Sequence, residues 1–272
     1  MVERIKKIDL EGIDPLAPVA MEPLQTSRGT KVNRCAIILD PDGVRKEVGI
    51  VSQDYALVPN NKAYQVALDI MGRSSLKFEP EGCAFDGRRY RQRWVVAEPE
   101  HRGEVKPGDF VSLGLDVVNS YDGSTMFGLN FIAQRLTCSN GMVVDFALGG
   151  FRFRHWASNG FDGKGHDAWQ GELAAAENTL TVLPEKIETV LPAFQKMTEM
   201  KCFRQDYQRI FKELGTSDGM AGQVIKAVDG DTLWDCYNGF TRCLSQKATV
   251  SGDNLNRNIS QYMFEQVKGF DN

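Results

Sequence analysis

An α+β fold, with an antiparallel β-meander first and helices afterwards, is predicted by three observations. Four hairpin-type dipeptides, Asp42-Gly43, Asp86-Gly87, Asp122-Gly123 and Asn140-Gly141, each lie between β-rich runs. Each supplies a residue tolerant of positive φ followed by glycine, the chemistry that tight hairpin turns require. Beyond Gly160 the apolar residues change to helical spacing. Strands therefore precede helices instead of alternating with them, the order of an α+β chain.

Taken in order, residues 1–30 hold Pro15, Pro18 and Pro23 and show no sustained periodicity. They are expected to form an extended N-terminal arm, one able to reach a neighbouring subunit. The antiparallel sheet region is assigned to 31–160, with strands near 32–40, 44–51, 76–85, 88–97, 110–119, 126–137, 142–147 and 151–156. One helix interrupts them. Asn60 or Asn61 is the expected cap, Ala63, Val66, Ala67, Ile70 and Met71 recur at helical spacing, and Gly72 marks the end. A glycine-rich loop, 159–165, leads into a helical region over 161–272 packed on the same domain. Pro184 and Pro192 suit helix starts or a kink. Ser217 or Asp218 is expected to cap a helix carrying Met220, Val224, Ile225 and Val228, and Asp231 another with Leu233, Trp234, Tyr237, Phe240 and Leu244.

At 272 residues the chain can bury a core without staples, since about 75% of the unfolded surface is lost at this size. The six cysteines form no C-x-x-C pair and no zinc-ligand spacing, so buried structural thiols in a cytoplasmic protein are expected, with no metal and no cofactor. The first residues lack the apolar stretch of a signal peptide, and no run reaches the ~18–20 apolar residues of a membrane span. The net charge of −4 excludes a surface basic all round, but leaves room for a local basic groove.

The most informative stretch is Arg88-Arg89-Tyr90-Arg91-Gln92-Arg93-Trp94. On a strand Arg89, Arg91 and Arg93 share one face, and Tyr90 and Trp94 the other. Three arginines on one face need anions opposite them. A phosphate backbone with bases stacked on the aromatic rings meets that need, and so do carboxylates across a solvated sheet. Both readings stay open. Phe151-Arg152-Phe153-Arg154-His155-Trp156 repeats the pattern, with Arg152, Arg154 and Trp156 on one face.

Enzyme motifs are poorly supported. Ser120-Tyr121-Asp122-Gly123-Ser124 lacks the surroundings of a nucleophile elbow, and Gly163-Lys164-Gly165 lacks Walker spacing. Cys138 and His155 can be imagined as nucleophile and base, but no third residue orients them. No catalytic residue is therefore assigned.

Five short stretches, Val51-Ser52-Gln53-Asp54-Tyr55 with Val58-Pro59-Asn60, Tyr121-Asp122-Gly123-Ser124, Arg135 to Gly141, Phe153-Arg154-His155, and Thr232 to Asn238, occur in this order. Together they resemble a phage- and plasmid-related family catalogued as a domain of unknown function and also found in cryptic prophages. The resemblance covers roughly 45–265; this chain has Tyr121 where that family shows His, and Asn140-Gly141 where it shows Asn-Thr. It implies a mobile-element setting and assigns no chemistry. In outline, the meander with basic hairpins is also similar to the ring-forming single-strand annealing proteins of phages. The functional expectation is a homo-oligomer that binds or anneals single-stranded DNA, working with phage or host replication or recombination proteins. Arg88, Arg89, Arg91, Arg93, Arg152 and Arg154 would meet phosphates, and Tyr90, Trp94 or Trp156 would stack on bases. The alternative is a protein-interaction module, a host-defence antagonist or replication accessory, without nucleic-acid binding.

Overall fold

The computed structural model describes residues 13–136, 140–143, 150–155, 178, 183–245 and 250–270. Its strands form two antiparallel sheets. In the first, β1 (Val19–Gln25), β2 (Lys31–Leu39) and β3 (Lys46–Val51) make a three-stranded meander. Alternate residues of β2, namely Cys35, Ile37 and Leu39, bury one face with Val48 and Val51 of β3, and Tyr55 and Tyr121 complete this small core. The β2–β3 turn places Asp42 and Gly43 at positive φ, 53° and 76°, as the hairpin chemistry predicts.

The second sheet runs β10-β8-β7-β5-β4, with β6 on β7 and β9 on β8. Its strands are β4 (Phe78–Phe85), β5 (Arg89–Val96), β6 (Arg102–Lys106), β7 (Asp109–Ser120), β8 (Phe127–Arg135), β9 (Asn140–Val143) and β10 (Gly150–Phe153). Gly87 and Gly123 take positive φ in the β4–β5 and β7–β8 turns, again as predicted. Six α-helices lie among the described residues: α1 (Asn60–Gly72), α2 (Leu183–Glu199), α3 (Arg204–Glu213), α4 (Asp218–Ala227), α5 (Leu233–Ser245) and α6 (Val250–Phe270).

One face of the second sheet is the main core. Val111, Leu113, Leu115 and Val117 of β7 alternate onto it, as do Phe127, Leu129, Phe131 and Ala133 of β8. Phe194 of α2, Trp234, Tyr237 and Phe240 of α5 and Met263 of α6 belong to the same buried cluster. Each such large apolar side chain contributes about 1.5–3 kcal/mol relative to exposure. α1 covers the β5 end, with the Tyr64 ring 5.4 Å from that of Trp94.

The expected α+β class is therefore observed, with strands in two sheets and most helices C-terminal to them. Several local expectations are corrected. Val19–Gln25, within the stretch expected to be an arm, pairs with β2 of its own chain. β6 (Arg102–Lys106) forms between the strands expected at 88–97 and 110–119, where none is expected. Asn140 and Gly141 pair with Arg135 and Gln134, so this dipeptide lies in β9 and not at the turn. Pro59, not an asparagine, stands at the start of α1; Asn60 uses its amide to bond Pro15 O at 2.8 Å. Ser217 caps α4 as predicted, its hydroxyl accepting from Met220 N. α5, however, starts at a reciprocal pair, Thr232 and Asp235, while Asp231 meets Lys201.

Candidate nucleic-acid interface

The face of the second sheet opposite the core is mixed and largely buried, with Ser112, Asp116, Asn130 and Gln134 beside Val118 and Ile132. Strand register sets its rows: Arg93 lies beside Asp116, then Asn130, then Gly150, and Arg91 beside Val118, then Gly128, then Arg152. At ~4.8 Å per strand, Arg91 and Arg152 stand roughly 14 Å apart across the sheet. Alternation therefore brings Arg89, Arg91, Arg93 and Arg152 onto one face, as predicted. Helix α6 adds Arg257, whose Nη2 donates to Asn130 Oδ1 at 3.1 Å; Arg152 Nη2 points at the same oxygen from 3.4 Å.

These arginines are held, not waving. Arg93 donates Nε and Nη2 to the two oxygens of Asp116 at 2.7 and 2.6 Å. Arg91 and Arg93 retain only 8% of their surface exposed. Arg89 donates to Ser124 Oγ at 2.9 Å and reaches Asp122 at 3.6 Å, tying the β4–β5 turn to the β7–β8 turn. For Arg89 and Arg93 the carboxylate-paired reading thus holds. Arg88 and Arg154 are exposed at the margins.

The aromatic half of the prediction is corrected. Tyr90 and Trp94 are 2% and 3% exposed and belong to the core under α1, so neither ring is available to a base. Phe151 and Phe153 are buried on the core side, as their alternation predicts. Trp156 and Cys138 lie outside the described residues, as does the 159–165 loop. Arg257 and Asn130 were missed. Asn130 had a signal: Asp116, Asn130 and Gln134 interrupt apolar strands at alternate positions, the mark of a second, polar, buried face. Arg257 had none, being one cation on a helix.

Three of the five motif stretches meet at one junction between the sheets. The Tyr55 and His155 rings stack with centroids 4.8 Å apart. Tyr55 Oη donates to Ser120 O at 2.7 Å, and Asn60 N donates to Tyr121 Oη at 3.0 Å. Asn119 Nδ2 donates to both Asn60 Oδ1 and Val58 O. His155 Nδ1 donates to Ala56 O at 3.0 Å, and Ala56 N donates to His155 O. Burial presses the His155 pKa down to about 4 against the smaller opposing pull of the Ala56 and Thr125 backbone. The imidazole is thus neutral at neutral pH. Burial likewise raises Tyr55 and Tyr121 far above the usual phenol range. With its ring stacked on Tyr55 and its Nδ1 given to a backbone carbonyl, His155 positions chain segments.

The other two motif stretches meet at the far end of β8. Arg135 Nε and Nη2 donate to Asp109 at 2.6 and 2.7 Å, and Trp234 Nε1 donates to Asp109 Oδ2 at 2.9 Å. Burial alone would raise the Asp109 carboxyl, but the Arg135 and Trp234 hydrogen bonds and the Arg135 and Lys106 charges outweigh it and hold it below its ordinary value. Among the described residues no group of three or more His, Cys, Asp and Glu is placed to hold a metal ion, and no helix is long and apolar enough to cross a membrane.

Fold and site define an α+β protein of two antiparallel sheets with an arginine-bearing face opposite its core. A family model described as a domain of unknown function (DUF932) matches residues 47–262. The chain belongs to that family. Comparison with curated proteins and with solved structures finds no match.

Proposed function

We propose that the chain binds single-stranded nucleic acid, DNA in the first place, at the margin of the arginine-bearing face of its second sheet, where Arg88 and Arg154 are exposed. The observation that carries this reading is convergence. Arginines from β5, β10 and α6, more than 160 positions apart at the extremes, gather on one face of one sheet. Arg93 is neutralised by Asp116, so the phosphates are met by the exposed Arg88 and Arg154 and the half-buried Arg89 and Arg152. Because Tyr90 and Trp94 are core residues, this binding is dominated by phosphate contacts and tolerant of sequence. The phage and plasmid setting implied by the motif resemblance suits such a role, in recombination or replication, as a cytoplasmic homo-oligomer without catalysis.

Fluorescence anisotropy with a short labelled single strand tests the reading. Affinity should fall steeply as salt rises, and Arg152→Ala with Arg154→Ala should lower both the affinity and the salt slope, by roughly one per lost phosphate contact. Salt-insensitive binding, or none at low salt, would remove it. Particle images with and without the strand report assembly: rings or filaments that appear or tighten support the oligomer.

One observation favours a second reading, a protein-interaction module. Between α3 and α4 an open groove of about 560 Å³ has a floor of Tyr207, Phe211, Ala221 and Ile225 and polar walls that include Arg204, Lys212 and Asp218, which suits an amphipathic partner helix. This reading expects a stoichiometric protein complex that Ile225→Arg disperses while strand binding is unchanged. Strand binding without any such complex eliminates it.

A further inference from the structure

The motif stretches around Arg135 and Asp235 are not used by the proposed strand-binding face. Arg135 alternates with Ala133, Phe131 and Leu129 onto the core side of β8, whereas Asn130 lies on the other. There, at the end of the sheet beneath α5, a cavity of about 170 Å³ is lined by Lys106, Arg135, Asp229, Asp235, Asn238 and Arg242, with Ala227 its one apolar lining residue.

The charges divide into two groups. The carboxylates of Asp109 and Asp235 are committed to the fold. Asp109 takes Arg135 and Trp234, and Asp235 Oδ2 takes Thr232 N at 3.2 Å and Thr232 Oγ1 at 2.6 Å at the head of α5. Of the cations, Lys106 and Arg242 are less committed. Lys106 reaches Asp235 only at 3.4 Å, its side chain 41% exposed, and Arg242 stands exposed in the last turn of α5. Arg135 is fixed against the Trp234 ring, its guanidinium carbon 5.9 Å from the ring centre. Three cations from β6, β8 and α5 thus share a polar cavity with the carboxylates of Asp229 and Asp235, Arg135 locked on Asp109 while Lys106 and Arg242 are able to close. The one cation in excess suits an anion with several acceptor oxygens, of which a tetrahedral phosphate is one. Asp229, exposed between α4 and α5, then faces whatever the anion is attached to, and a carboxylate there selects hydroxyl donors.

We propose that this cavity binds the phosphate of a hydroxylated phosphate monoester, with Lys106, Arg135 and Arg242 on the phosphate and Asp229 on a hydroxyl at the mouth. The site is separate from the strand-binding face, and either can fail without the other.

Isothermal titration and phosphorus-31 line broadening on the full chain test it, using inorganic phosphate, ribose 5-phosphate and ribose at matched ionic strength. Saturable binding is expected for ribose 5-phosphate, at least tenfold tighter than for inorganic phosphate, and none for ribose. Arg242→Ala, an exposed change, should weaken both phosphates at least tenfold, and Lys106→Met likewise. Asp229→Asn should weaken the sugar phosphate and spare inorganic phosphate. Arg152→Ala should change nothing here, which separates this site from the strand-binding face. Absence of saturable binding, or Arg242→Ala behaving as the unmodified chain, overturns the site. Equal affinity for the two phosphates overturns the ester.

Discussion

His155 ties the end of β10 to the segment before α1 through two reciprocal hydrogen bonds with Ala56, and its ring is stacked on Tyr55. Its folded pKa lies at about 4, below the ordinary 6.5, because burial penalises the imidazolium. Between those two values the unfolded chain holds a proton that the folded chain does not. Stability from this group is therefore complete above pH 6.5 and is lost as pH falls toward 4, by about 2 kcal/mol at pH 5. Urea unfolding at pH 7.5 and pH 5 should show a smaller drop for His155→Gln than for the unmodified chain; equal drops would refute the assignment. Arg93 and Asp116 pose a different problem, since both are buried and bidentate. Asp116→Ala should cost about 3–5 kcal/mol by stranding the guanidinium, whereas replacing both partners by apolar residues should cost far less. A double-mutant cycle in denaturant measures this. The same pair shows what strand sequence hides. Alternation placed Arg93 on the correct face, but Asp116 lies 23 positions away, and only register brings the two together. Tyr90 and Trp94 failed as stacking residues for the matching reason: nothing in β5 itself says that α1 will cover them.

Elements were legible wherever the period is carried by the element's own residues. α1 repeats Ala63, Ala67 and Ile70 on one face, and in β7 and β8 apolar residues recur at every second position, although burial takes in both faces of these two strands. β6, Arg-Gly-Glu-Val-Lys, buries only Gly103 and Val105 and carries no such pattern; it is a strand because β7 offers it a partner. β1 was hidden by Pro23, which an edge strand tolerates because a missing N–H on its open side costs nothing. Helix starts followed the chemistry of caps more closely than the choice of residue. At α5, Asp235 N donates to Thr232 Oγ1 while Thr232 N donates to Asp235 Oδ2, which satisfies two otherwise orphaned donors. Thr232→Ala should therefore cost about 1 kcal/mol, a fall of about 2–4 °C in thermal midpoint for a domain of this size. Asp235→Ala should cost more, because Lys106 loses its partner as well. Indistinguishable melting of Thr232→Ala and the unmodified chain would show that tertiary packing, not the cap, sets where α5 begins.

Across the whole molecule the two sheets have unequal means of standing alone. The second has a continuous core shared by α1, α2, α5 and α6, with β7 paired on both sides. The first has three strands and a small core, and three of that core's residues, Ala17, Tyr55 and Tyr121, come from outside its strands. A unit of that size does not sustain itself without help. Its support is the junction: Tyr55 Oη on Ser120 O, Tyr121 Oη accepting from Asn60 N, and β3 lying against the backbone of the β7–β8 turn. The last contact is so close that a Cβ at Gly49 would sit 2.4 Å from the Tyr121 carbonyl oxygen. Any side chain there must push β3 away from the turn. Native-state hydrogen exchange should accordingly find the β2 and β3 amides opening together, at a lower free energy than those of β7 and β8. Gly49→Ala should lower that first opening free energy selectively, and Tyr121→Phe should do the same by about 1–2 kcal/mol, because Asn60 N loses its buried acceptor. If every slow amide in both sheets instead exchanged at one common free energy, and Gly49→Ala lowered them all alike, the sheets would form a single cooperative unit and the junction would not be the boundary between them.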